Sequence, residues 1–110
     1  MRHPALAYLL AALGSATQVN AQTVSASRGE AVYNHVCVMC HSPKGPATNT
    51  LAARLGAERS LLSERRDLAP VYILYVIRNG IGSMPHLTKV EVPDADADAV
   101  AAYLTRHNPR

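Results

Sequence analysis

The spacing of apolar residues changes from segment to segment along this chain, and each change predicts an element. Gly29, Val32, Tyr33 and Val36 recur at steps of three and four, one face of an amphipathic helix. Ser27-Arg28-Gly29-Glu30 has the S-x-x-E spacing of a capping box, which predicts the helix start there, with Gln22 to Ala26 as a short flexible lead. Gly29 inside the apolar face costs roughly 1 kcal/mol of helix propensity, so it implies a close backbone contact with another element. Ser42 to Asn49, with two prolines and a glycine, predicts a loop, and Leu51–Leu55 and Ser60–Leu68 predict short helical turns. Val71 to Ile77 is continuously apolar and rich in β-branched residues, which by propensity alone reads as a buried strand. Its ends argue for a helix: Pro70 suits the first helical position, and Asn79-Gly80 suits a left-handed stop. Gly80 to Thr88 predicts a loop. Pro93-Asp94-Ala95-Asp96 opens a last helix, with acidic residues near the positive end of its dipole and Val100, Tyr103 and Leu104 as its apolar face. The expected class is all-α, three or four helices joined by loops.

The N-terminus has a different pattern. Met1-Arg2-His3-Pro4 is a short positive start, Ala5 to Ala16 is apolar, and Val19-Asn20-Ala21 puts small residues at the two positions a signal peptidase reads. Residues 1–21 therefore read as a signal peptide cleaved after Ala21, residues 22–110 as the exported domain, and the periplasm as its destination. An uncleaved anchor or a buried helix is the alternative, although the run is shorter than the roughly 20 residues that cross a bilayer. With the signal removed, no membrane span is expected.

The remaining 89 residues bury too little surface to be comfortable without a staple. The chain has no Trp and no Phe, and its two cysteines lie too close together for a disulfide to close a useful loop. A large apolar cofactor would fill that need. The formal charge of +3 falls to +2 without Arg2, and no basic run with interleaved aromatics occurs, which argues against a nucleic-acid partner.

Cys37-Val38-Met39-Cys40-His41 carries the chemistry. At about 100° per residue on a helix, residues three and four apart share a face, so the two sulfurs can add to the vinyl groups along one edge of a haem while His41 binds the iron. A Cys-x-x-Cys-His run in an exported chain reads as covalent haem attachment. A thioredoxin-like pair would want a βαβ context, structural zinc would need four ligands drawn from Cys37, Cys40, His41 and His35, and a plain disulfide is the third alternative. For the second axial position, Met1 leaves with the signal and Met39 lies between the cysteines, which leaves Met84, with His86 as its rival. Met84 follows Gly80-Ile81-Gly82-Ser83 and precedes Pro85, which stiffens the backbone; a thioether there raises the reduction potential relative to a second imidazole. His35 and His107 read as surface or partly buried histidines.

These strings, with Gly29 and Tyr33 upstream, Ile77 to Pro85 downstream and Ala101-Ala102-Tyr103-Leu104 near the end, resemble class I c-type cytochromes of the small bacterial monohaem kind. The resemblance implies a small cytochrome c helical fold around one covalent haem c, with His41 proximal and Met84 distal. It also implies that Gly29 and Tyr33 cross the last helix near Tyr103, and that one haem edge stays open to redox partner proteins. Two departures stand out. Ser42 replaces the family's usual glycine, and Asn49-Thr50-Leu51-Ala52-Ala53 lacks the proline whose carbonyl takes the second N–H of the histidine, so Pro43, Pro46 or a carbonyl near Thr50 is expected to serve. Within the family, Leu68 to His86 is similar to cytochrome subunits that accept electrons from flavin dehydrogenases acting on alkylphenols. The expected role is single-electron transfer with no catalysis by the chain itself. The alternatives are a dedicated subunit of a flavoprotein dehydrogenase complex, or a sensor or peroxidase with an open sixth site.

Overall fold

The computed structural model describes residues 21–110, so the predicted signal peptide lies outside the described residues except for Ala21. Among the described residues five α-helices follow one another: α1 (Ala21–Val32), α2 (Val38–His41), α3 (Pro46–Leu55), α4 (Pro70–Asn79) and α5 (Asp94–Leu104). A π-helical turn, Tyr33–Cys37, joins α1 to α2, and short 3-10 turns at Ala57–Arg59 and Leu62–Glu64 follow α3. No strand occurs among the described residues, and the all-α expectation holds.

Helix α5 is the hub, touching α1, α4 and the Leu62–Glu64 turn. Its Ala97, Val100, Ala101, Tyr103 and Leu104 are buried with Tyr33 from the π turn, Ile73 and Ile77 from α4, and Leu68 and Val92 from loops. Gly29 allows the close crossing that the sequence implies. A Cβ there would collide with the backbone carbonyl of Ala99 and stand 2.8 Å from the Cβ of Tyr103. One turn on, the Tyr33 and Tyr103 rings pack with centroids 5.5 Å apart and planes tilted by 49°, within the range aromatic pairs favour.

Helix α4 settles the ambiguity of the Val71–Ile77 run. Pro70 sits in the first turn, where its missing N–H costs nothing, and the chain leaves the helix at Gly80 with φ +71°. The last helix likewise starts where Pro93 and Asp94 predict. Two expectations are corrected. Gln22–Ala26 is not a flexible lead but part of α1, and Ser27 lies inside that helix, its hydroxyl donating to the Thr23 carbonyl at 3.0 Å. A serine satisfied this way sits in a helix interior without terminating it. The loop predicted over Ser42–Asn49 ends at Gly45, because Pro46 begins α3 with Gly45 as its cap.

Candidate functional site

The helical run that contains α1 and α2 ends at His41, and its last five residues are the Cys37–His41 motif. Val38 N–H donates to the Tyr33 carbonyl five residues back, which makes the turn between them π rather than α. Such a turn holds one residue more than an α turn and swings everything after it around the axis; it is a common device at functional sites. Nothing in the residue types of Tyr33–Cys37 signals it. The result is asymmetric: Cys37 is half-buried beside the core, whereas Cys40 is exposed and Met39 between them is 80% exposed. The two cysteines are not joined to each other. Burial pushes the Cys37 thiol up to about 11, the reverse of the depressed value a thiol–disulfide catalyst needs.

His41 closes α2, after which Ser42 adopts extended backbone. The turn behind it is tight. Gly45 N–H donates to the Ser42 carbonyl at 2.9 Å, and a Cβ on Gly45 would run into the Cys40 carbonyl. Burial lowers the His41 pKa, favouring the neutral imidazole that binds metals. Its Nδ1 is buried and has no hydrogen-bond partner. None of the expected acceptors takes it up: the Pro46 carbonyl instead receives the Thr50 hydroxyl at 3.0 Å, and the buried Thr48 hydroxyl is itself unpartnered. The Tyr33 hydroxyl donates to the His41 carbonyl at 3.3 Å. Burial raises the Tyr33 pKa, and the neighbouring Cys37 and Tyr103 raise it further, so the phenol keeps the proton it donates. This bond ties the end of the motif to the α1–α5 packing, and the sequence reading did not foresee it.

Met84 comes from a separate element. Ile81 and Met84 exchange both backbone hydrogen bonds, at 2.9 and 3.1 Å, around Gly82 at φ +56° and Ser83. The positive φ at the first central position alone is the pattern of a type II′ hairpin turn. Gly80 packs beneath this turn; a Cβ on it would stand 2.6 Å from the Met84 carbonyl and 2.9 Å from the His86 nitrogen. Met84 is half-buried, whereas His86 is exposed. One helix therefore gathers Cys37, Cys40 and His41, while a stiffened turn presents Met84, and no hydrogen bond joins the two groups among the described residues.

Covalent haem fits these residues. Two unpaired thiols precede a neutral imidazole, and apolar side chains from several elements, Leu51, Leu61, Leu62 and Leu74 among them, are only half-buried by protein. The alternatives fit less well. Among the described residues no three His, Cys, Asp or Glu side chains gather to hold a metal ion, as structural zinc requires, and no strand supplies a βαβ unit. No described helix is long and apolar enough to cross a membrane.

The family model described as "Cytochrome C oxidase, cbb3-type, subunit III" matches residues 24–104. No curated protein and no solved structure matches the chain. The matched span starts in α1 and ends with α5, so it contains the Cys37–His41 motif and the Met84 turn together.

Proposed function

The chain belongs to this cytochrome c family, and from that premise we propose that it carries single electrons between proteins through a haem c held by Cys37, Cys40, His41 and Met84. The family implies covalently bound haem c, and the chain has one Cys-x-x-Cys pair to attach it. When bound there, such a group supplies the one-electron iron couple. The observation that carries the reading is the helix end at Cys37–His41: free thiols three apart, then a half-buried neutral imidazole with an unpaired Nδ1.

Each residue then has a defined task. Cys37 and Cys40 would hold the group covalently, each thiol adding across one vinyl group to give a thioether. His41 offers a neutral nitrogen, its backbone pinned by Tyr33. Met84 would offer a soft sulfur to the iron from a turn whose own hydrogen bonds limit its movement. The proposed role asks for no acid–base pair and no bond broken in a substrate. Its N-terminal pattern supports export to the periplasm, which the N-terminal sequence of the purified native protein tests: Gln22 is expected first. A monohaem mass is expected beside it.

Optical spectra of the oxidised and reduced holoprotein test the ligation. The weak far-red band of methionine-ligated ferric haem is expected in the native protein and absent in Met84→Ala. A high-spin native spectrum, or one that Met84→Ala leaves unchanged, overturns the reading in favour of an open or bis-histidine site. Carbon monoxide binding to the native reduced protein separates those two.

One observation favours a second reading, a haem subunit that stays with its partner. Helix α4 is apolar on both sides: Ile73, Val76 and Ile77 are buried, while Val71 is 74% and Tyr75 61% exposed on the opposite side. Contiguous exposed apolar surface of this kind marks interaction sites. A flavoprotein dehydrogenase is the donor suggested by the Leu68–His86 similarity. Co-purification with a yellow, larger protein supports that reading, and a native monomer refutes it.

A further inference from the structure

The Met84 turn is anchored on both sides by backbone bonds, and the Arg78 side chain spans the gap between its two sides. On the near side stand the Ile81–Met84 pair and Gly80; on the far side Leu87 N–H donates to the Ile77 carbonyl at 2.7 Å. Arg78, in the last turn of α4, reaches across the same gap. Its Nη1 donates to the carbonyls of Leu87 at 3.1 Å and Thr88 at 3.4 Å, and its Nη2 donates to Asp94 Oδ1 at 2.8 Å. Asp94 opens α5 and also receives Lys89 Nζ at 2.8 Å. The Arg78 side chain is only 23% exposed. It thus joins the end of α4, the returning side of the loop and the start of α5, with Met84 enclosed between its attachment points.

We propose that Arg78 is a positioning residue for Met84, a latch that holds the loop closed so that the thioether stays on the iron. The inference rests on the reading of Met84 as the axial ligand. The physical reason is the shape of the group. A planar fork can donate to two carbonyls and a carboxylate at once, where an ammonium on a flexible stem acts as a point charge. With the latch gone, the loop keeps its local turn and the exposed Lys89–Asp94 pair but loses the bonds that hold Leu87 and Thr88 to α4 and α5 through one half-buried side chain, so the population with Met84 displaced rises. An external ligand that binds only that population gains affinity in proportion.

The test measures imidazole binding to the ferric holoprotein by the loss of the far-red band, in the native protein, Arg78→Gln, Arg78→Lys and Arg28→Gln. Arg28 forms a comparable arginine–aspartate pair, with Asp96, away from the loop. Arg78→Gln is expected to bind imidazole on the order of tenfold more tightly, as loss of hydrogen bonds from a charged group implies. Arg78→Lys, which keeps the charge, should fall between it and the native protein, and keeps the test open if the glutamine variant does not fold. Arg28→Gln should bind like the native protein even where its unfolding midpoint falls. Equal imidazole affinity in the native protein and both Arg78 variants overturns the latch while leaving Met84 ligation intact. Absence of the far-red band from the native protein itself overturns the ligation reading, and the latch with it.

Discussion

Tyr33 has two contacts that ask different things of one side chain. Its ring packs on Tyr103 and its hydroxyl holds the His41 carbonyl. Tyr33→Phe keeps the first and removes the second. It is expected to cost about 0.5–1.5 kcal/mol of holoprotein stability, the net value of one hydrogen bond, read as a lower urea midpoint with an unchanged slope. Gly29 shows the opposite economy, since its value lies in what it lacks. An alanine gains roughly 1 kcal/mol of helix propensity, yet its methyl meets a backbone carbonyl of α5, which cannot rotate away. The two helices must then separate. Gly29→Ala is expected to lose about 1–3 kcal/mol net, as overpacked contacts do; a midpoint at or above that of the native protein would contradict the close crossing.

At the scale of elements, what the sequence disclosed depended on whether the deciding force was local. Pro70 and Asn79-Gly80 act through their own backbones, so α4 and its end were legible even against the strand propensity of Val71–Ile77. The start of α1 was not. Ser27 and Glu30 have the spacing of a cap, but the helix runs on through them because it lies along α5, a tertiary fact. Pro46 read as loop for a related reason, since a proline marks a helix start as readily as a turn. The π turn has no residue signature at all. Of the proposed site, Cys37, Cys40 and His41 stand out in the sequence because covalent attachment would fix their spacing, and Met84 is reached only by exclusion. Tyr33 on His41 and Arg78 on the loop depend on chain folding back over eight to ten residues, which no motif encodes. Gly80 tests how far the loop depends on its glycine. Its positive φ disfavours any side chain, and the space is filled by the Met84 carbonyl. Gly80→Ala is expected to cost about 1–3 kcal/mol and to weaken the far-red band, whereas Gly82→Ala, with open space around it, should pay for strain alone and disturb the band less.

For the whole molecule, the first turn of α5 is where ion pairs from α1 and from both sides of the Met84 loop meet. Asp96 pairs with Arg28 of α1, the helix that leads into Cys37–His41, and Asp94 pairs with Arg78 and Lys89 on either side of the Met84 loop. Hydrogen bonds from Lys89 and then Arg78 hold the Asp94 carboxyl below its ordinary value of 3.8. The sign follows from linkage. A carboxyl depressed in the folded state stabilises it fully above the ordinary value, and that contribution is lost as pH falls through the folded value. Acid should therefore release the loop at α5 before it unfolds the helices. The far-red band is expected to be constant from about pH 7 to about pH 5 and to fall below about pH 4, ahead of the helical circular dichroism. Because Asp94 is well exposed, salt should act in the same direction: at 1 M the screening length is only about 3 Å. Asp94→Asn removes the charge at every pH, so its band should already be weaker at neutrality and its acid response flatter. Band and helix signal falling together in the native protein, with Asp94→Asn following the same curve, would show that the α5 carboxylate does not govern the loop and that acid acts on the molecule as a single unit.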